Sequence, residues 1–151
     1  MEFKKLTLPE EISKGEVVSP QVKRALRIYN QVDLSQNLNP EKRKDQNIIL
    51  EMFDTQLAYV ALDDGFVQGV ANYYPEEDSD IGWIEGMATT RGLGVGGFIV
   101  RNIVNLAHSQ GMSALELRSH PPALGFWVKQ GFDIKGEDIG GSWIAMRREL
   151  D

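Results

Sequence analysis

Arg91-Gly92-Leu93-Gly94-Val95-Gly96-Gly97 sets four glycines within six positions, at the head of a stretch in which Val95, Phe98, Ile99, Ile103, Leu106 and Ala107 recur at helical spacing. The spacing predicts an amphipathic helix that Gly111 stops, with Arg101, Asn102, Asn105 and His108 mostly off the apolar stripe. A glycine-rich turn between a strand and a helix suits an anionic ligand. The first turn of a helix leaves its amides unpaired and carries the positive end of the macrodipole. Glycines at 92, 94, 96 and 97 let the backbone approach a diphosphate closely and adopt the angles of a tight turn. The competing use of such a turn is close packing of helix on sheet.

Working outward, Leu57 to Leu62 and Phe66 to Tyr74 are apolar runs separated by Asp63-Asp64-Gly65, which predicts a hairpin. Pro75 to Asp80 forms an acidic loop, and Ile81 to Thr89 (IGWIEGMAT) resumes as a third strand, so an antiparallel meander precedes the glycines. Beyond the helix, Ser113 to Arg118 reads as a strand, and Pro121 and Pro122 suit the first turn of a short helix through Lys129 that Gly131 ends. Phe132 to Lys135 and Ser142 to Arg148 read as two last strands. The earlier chain reads as a strand over Phe3 to Leu8 and helices around Pro20 to Tyr29 and Glu41 to Phe53. Lys42, Arg43, Lys44 and Asp45 fit a solvated helix face. No internal repeat or second domain is visible, and residues 1–151 are expected to form a single domain.

With 151 residues, 42% hydrophobic and 25% charged, the chain fits one globular core. A domain of this size buries roughly 68–70% of its unfolded surface and needs no staple. With Cys 0, thiol nucleophiles, thiolate zinc sites and disulfides are excluded. No metal site is expected. The opening residues lack the apolar core of a signal peptide and no apolar run is long enough to span a bilayer, so the expected location is cytoplasmic. A net charge of -6 argues against nucleic acid or an anionic membrane as partner, so any anion must be held by local geometry.

Gly92-x-Gly94-x-x-Gly97 also satisfies a dinucleotide-binding fingerprint, with Glu116 standing roughly 20 residues on where a ribose acid should lie. The context opposes it, because that fold needs alternating strands and helices and here a meander comes first. A Walker loop fails for want of Lys-Ser or Lys-Thr after the glycines. Read instead as Arg91-x-x-Gly94-x-Gly96, the turn resembles the (Q/R)xxGx(G/A) loop of the GNAT superfamily of N-acetyltransferases. Ala123-Leu124-Gly125-Phe126-Trp127-Val128-Lys129-Gln130-Gly131-Phe132 is similar to the later segment of the same family, A-x-x-F-Y-x-x-x-G-F. The resemblance runs from about Tyr59 to Arg148.

The resemblance implies an α+β fold with a mixed, mostly antiparallel sheet of about 6–7 strands and about four helices, splayed where coenzyme A binds. By this analogy the backbone of Met87, Ala88 and Thr89 pairs with the pantetheine arm of acetyl-CoA. Amides from Arg91 through Gly92, Leu93, Gly94, Val95, Gly96 and Gly97 hold the pyrophosphate, Arg91 adds charge, and Phe126 and Trp127 lie near the thiol end. The implied activity is transfer of an acetyl group to a primary amine of a small molecule or protein. Dimerisation through the last strands is a family habit, and Trp143, Ile144 and Met146 serve either that or the core.

Acyl transfer to an amine needs a deprotonated nucleophile, a polarised carbonyl and often a proton donor for the thiolate. Glu85, on the strand beside the coenzyme arm, is the first candidate base, its alternative being a solvent-facing strand glutamate. His120 stands where the family often has asparagine and is the second proton-transfer candidate, its alternative being structural. Tyr73, Tyr74, Glu116 and Ser119 rank lower, and the adjacent tyrosines must face opposite ways on a strand. The acids Glu76, Glu77, Asp78 and Asp80 suit either a solvated loop or a cationic acceptor. Two departures from the family pattern stand out: Trp127 replaces the motif tyrosine, and a single residue separates Thr89 from Arg91. They leave a second reading open, a regulatory module that binds acyl-CoA without transferring it.

Overall fold

The computed structural model describes residues 1–6, 58–90, 94–137 and 142–151. The helices expected around 20–29 and 41–53, and Arg91, Gly92 and Leu93, lie outside the described residues. The described elements are β1 (Glu2–Leu6), β2 (Ala58–Asp63), β3 (Phe66–Pro75), β4 (Ile81–Thr89), α1 (Val95–Ser109), β5 (Ala114–Ser119), a 3-10 turn (Pro121–Ala123), α2 (Leu124–Lys129), β6 (Asp133–Glu137) and β7 (Ile144–Glu149). The strands pair in the order β1-β2-β3-β4-β5-β7-β6, a seven-stranded sheet. β4 and β5 pair in parallel, while β1 with β2, β2 with β3, β5 with β7 and β6 with β7 are antiparallel. This is the mixed, mostly antiparallel sheet that the family resemblance implies. It rules out the dinucleotide fold, whose sheet is built from parallel strands. Of the four or so helices expected, the described residues hold two and the 3-10 turn.

Local chemistry explains the element boundaries. Asp64 (φ 51) and Gly65 (φ 82) both take positive φ between the paired ends Asp63 and Phe66, the geometry of a type I′ hairpin turn. α1 and α2 stop in the same way. The N–H of Gly111 donates to His108 and that of Met112 to Ala107, and the N–H of Gly131 donates to Val128 and that of Phe132 to Trp127. These are Schellman closures, with the left-handed residue supplied by Gly111 (φ 79) and Gly131 (φ 88).

The chain divides into two compact units, one of Met1–Tyr73 with Gly86–Ile99 and the other of Tyr74–Glu85 with Val100–Asp151. In the first, Ala58 to Leu62 are all buried, as a strand covered on both faces requires, and Val70, Val95 and Ile99 join them. Phe3 stacks on Tyr59 at 5.2 Å between ring centroids, and Tyr59 meets Tyr73 at 6.2 Å. Burial, and secondarily Tyr59, pushes the Tyr73 phenol up to about 12. Tyr73 is core.

In the second unit Leu115, Leu117, Phe132 and Met146 are buried, and Trp127 sits edge-on to Phe132 at 5.3 Å. Val100 is also fully buried, although it falls outside the apolar stripe read from the sequence. Glu116 is 3% exposed, pairs with Lys135, and has Arg147 at 3.7 Å from its Oε2. Arg147 is its register partner across β5 and β7. A buried carboxylate needs such partners, and here they neutralise it within the sheet rather than leaving it to meet a ribose. Met146 is core, whereas Trp143 keeps 38% of its surface exposed.

Candidate active site

The parallel register of β4 with β5 runs from Ile81↔Ala114 to Ile84↔Leu117, and β4 continues past it to Thr89. Glu85, Gly86, Met87, Ala88 and Thr89 therefore extend the strand with no register partner on β5 among the described residues. Ala88 is buried, Met87 and Thr89 are half-buried, and Glu85 is exposed. Gly94, with φ 66, follows the glycine-rich segment and α1 begins at Val95, where the amide of Phe98 closes the first turn on the carbonyl of Gly94 at 3.2 Å. Gly96 and Gly97 lie in the first turn of α1. That turn carries no acidic residue to compete with an incoming anion.

Two consecutive residues of β3 meet Thr90 and Val95. The carbonyl of Gln68 accepts from the Thr90 N–H at 2.8 Å and from its hydroxyl at 3.1 Å, and Gln68 Oε1 accepts from the same hydroxyl at 3.0 Å. At Gly69 an added Cβ would stand 2.8 Å from both Val95 Cγ1 and Ile99 Cδ1, so the absent side chain is what lets α1 close on the strand. The packing use of glycine is therefore real here, at Gly69, one strand away from the glycines that the sequence singles out.

Glu85 is not an isolated surface acid. The Tyr74 hydroxyl donates to Glu85 Oε1 at 2.9 Å. Burial, then the hydrogen bond and charge of Glu85, then Glu76, raise the Tyr74 phenol to about 12, so it stays protonated as a fixed donor. Tyr73 and Tyr74 face opposite ways, one into the core and one onto Glu85, as the strand alternation requires.

His120 lies just after β5 and stacks on Trp143, ring centroids 3.8 Å apart. The β5–β7 register explains this contact, because Ser119 faces Ile144 and the next pair outward is His120 with Trp143. His120 thus has a packing partner, and Ser119 Oγ is spent on the His120 carbonyl at 2.8 Å. We expect a double-mutant cycle of His120→Ala and Trp143→Ala to return a coupling of about 0.5–1.5 kcal/mol by urea unfolding. Additive losses would show that the stack holds nothing.

Phe126 is half-buried and meets Trp127 edge-on at 5.0 Å, while Trp127 is 7% exposed. In the acidic loop the Glu76 amide donates to the Ile81 carbonyl at 2.9 Å, Asp78 takes a turn conformation (φ 57) and Asp80 accepts from the Ser113 hydroxyl. Part of that acidity is consumed in building the turn. Neither the Tyr74–Glu85 pair nor the Gln68–Thr90 link is apparent from sequence alone. The signal available was the alternation that sets Tyr74 opposite Tyr73, and the single residue joining β4 to Arg91.

Among the described residues no cluster of three or more His, Asp or Glu stands ready to hold a metal ion, and no helix is long and apolar enough to cross a membrane. The sequence model described as "Acetyltransferase (GNAT) family" matches residues 23–132. No curated protein matches the sequence. Among solved structures, Tetrahymena GCN5 superposes with a TM-score of 0.72 at 17% identity, over 100% of this chain and 97% of that one. The PaiA N-acetyltransferase of Thermoplasma acidophilum, solved with coenzyme A, gives 0.71 at 14% identity over 99% of each chain. The N-acetylglutamate synthase of Neisseria gonorrhoeae, solved with coenzyme A and N-acetyl-glutamate, gives 0.71 at 17% over 89% of this chain and 34% of that one. These likenesses concern the fold, and the sequence match over most of the chain settles the family: the protein belongs to the GNAT acetyltransferases.

Proposed function

We propose that the chain is a single N-acetyltransferase domain that moves an acetyl group from acetyl-CoA to a primary amine, by direct attack within a ternary complex. The observation that carries this reading is the β4–turn–α1 segment. There a strand that outruns its parallel partner is followed by a glycine-rich stretch of sequence and then by a helix whose first turn holds no acid. Backbone groups of Met87, Ala88 and Thr89, free of a β5 ladder, suit the amides of a pantetheine arm. Amides from Arg91 through Gly97 suit the pyrophosphate, and Phe126 and Trp127 are assigned to the thiol end.

In this reading Glu85 takes a proton from the acceptor ammonium, and Tyr74 pins one of its oxygens while the other faces the proton. The freed amine nitrogen bonds to the acetyl carbonyl carbon, the carbon–sulfur bond breaks, and coenzyme A leaves as the thiolate, which takes up, through water, the second proton that the nitrogen sheds as the amide forms. An amide at Met87 or Ala88 steadies the carbonyl oxygen. Direct attack is supported by the absence of cysteine anywhere in the chain to carry the acyl group. His120 is the second proton-transfer candidate, and its loss should cost less than that of Glu85.

Calorimetric titration with acetyl-CoA, CoA and NADH, followed by thiol release in the presence of a panel of amines, tests the proposal. Micromolar CoA binding with amine-dependent thiol release is the expected result. Binding without release would favour a silent acyl-CoA-binding module, a role to which the buried Trp127, in place of the motif tyrosine, lends support. NADH binding without CoA binding would overturn the coenzyme assignment.

A further inference from the structure

In the second unit the two faces of the sheet are unlike. Register partners share a face, and alternation carries each face along its strands. Ile84, Leu117 and Met146 stand in one row, and all three are buried, as is Ser119 beyond them on β5. Trp83, Glu116 and Arg147 form the preceding row, on the opposite face. That face is the open one. Trp83 and Arg147 are half-buried and Glu85 and Arg118 are exposed, while the exception, Glu116, pairs with Lys135 and Arg147. Glu85 shares the open face with Trp83 on β4, and Arg118 and then His120 share it with Glu116 on β5. β4 and β5 run parallel, and their described ladder ends at Ile84↔Leu117, so Glu85 and His120 both lie past its C-terminal end. There His120 meets Trp143 at 3.8 Å, while 38% of the Trp143 surface stays exposed. Ile134 is more exposed still, but as the partner of Met146 it belongs to the other face.

We infer that Trp143 determines acceptor specificity: it takes an uncharged flat ring of a small primary amine whose nitrogen reacts beside Glu85. The inference rests on the reading above, in which Glu85 is the base. A large ring backed by a stacking partner and open on its other side has little freedom to lose when a second ring packs on it. Two interstrand spacings and two residues of rise separate Glu85 from Trp143, a backbone distance of about 12 Å that side chains on one face shorten. The ring is therefore carried on a linker of several bonds and not on the carbon that bears the amine. A tryptophan face attracts cations as well as rings. Arg118 stands on the same face between Glu85 and His120, and its charge opposes a second ammonium there.

Thiol release by the full chain with acetyl-CoA tests this, with 4-phenylbutylamine, hexylamine, benzylamine and 1,6-diaminohexane as acceptors. The parent should show a kcat/KM about tenfold higher for 4-phenylbutylamine than for hexylamine, through KM. Benzylamine and the diamine should do no better than hexylamine. Trp143→Ala should bring the ratio of the first two amines to about one, and Trp143→Phe, which keeps a ring, should hold most of it. A ratio read on one preparation does not depend on how much of it folds, and Trp143→Leu serves if Trp143→Ala yields no folded protein. Coenzyme A should bind Trp143→Ala as it binds the parent. No preference for the ring amine in the parent, a preference that survives Trp143→Ala, or a preference for the diamine over the ring amine overturns the inference and leaves the acetyl-transfer reading standing. Thiol release with other amines but none of these four does the same. No release with any amine overturns both.

Discussion

Glu85→Gln is expected to lower turnover by about 10²–10⁴-fold with coenzyme A affinity unchanged. Glutamine keeps the length of the side chain and an oxygen for the Tyr74 hydroxyl, so the local packing survives and only the capacity to take a proton is lost. Tyr74 gives the expectation its sharper form. With its phenol at about 12, it is a weaker acid than a thiol by several units, so it is a poor proton source for the leaving thiolate and does not replace the tyrosine that Trp127 displaces. Its part is to hold the carboxylate. Tyr74→Phe should therefore cost much less than Glu85→Gln, within about tenfold, the net worth of one hydrogen bond to a charged group. Initial rates of thiol release with one amine acceptor measure both. A loss well below a hundredfold for Glu85→Gln removes the base assignment, and equal losses for the two variants would make Tyr74 a participant in proton transfer.

The elements of this fold were legible wherever local chemistry determines them. Asp64-Gly65 announces its turn, Ile81 to Thr89 is both the strand expected and the strand found, and Gly111 and Gly131 end their helices through bonds that any chain with glycine there can make. What the sequence hides are the consequences of register. The bulge at Gln68 exists because β2 and β3 pair one residue out of step, and nothing at position 68 itself predicts this. Tyr74 reaches Glu85 only because the acidic turn folds back as it does. Glu116 shows the opposite failure. It satisfies a spacing for ribose recognition, yet β5 is buried from Ala114 to Leu117, and the cations that neutralise Glu116 arrive from β6 and β7, far along the chain. His120 ranks as a proton-transfer candidate on its alignment with the family, while the register gives it Trp143 as a neighbour. Positions in a motif are readable one residue at a time, and partners are not.

The second large effect is expected at Gly69, where alanine should cost about 1–3 kcal/mol through overpacking. The new methyl would press on three side chains, and they differ in what they can yield. Ile99 Cδ1 is the far end of a side chain and can turn away, and Thr89 Cγ2, at 3.1 Å, needs to move only a few tenths of an ångström. Val95 cannot avoid the contact, because a β-branched residue in a helix holds one rotamer and its Cγ1 lies 2.8 Å from the added atom. The strain therefore passes to the first turn of α1, the turn whose amides are assigned to the diphosphate. Thermal unfolding should show the melting temperature falling by about 2–4 °C for each kcal/mol lost. Coenzyme A binding should weaken at temperatures where the variant is still fully folded, which a purely global destabilisation would not produce. Gly125→Ala is the contrast. That glycine lies inside α2 with nothing within 4 Å of an added Cβ, so alanine there should stabilise by about 0.5–1 kcal/mol from helix propensity and leave binding untouched. If Gly69→Ala behaved like Gly125→Ala, the close seat of α1 on β3 would carry no weight in either stability or coenzyme binding.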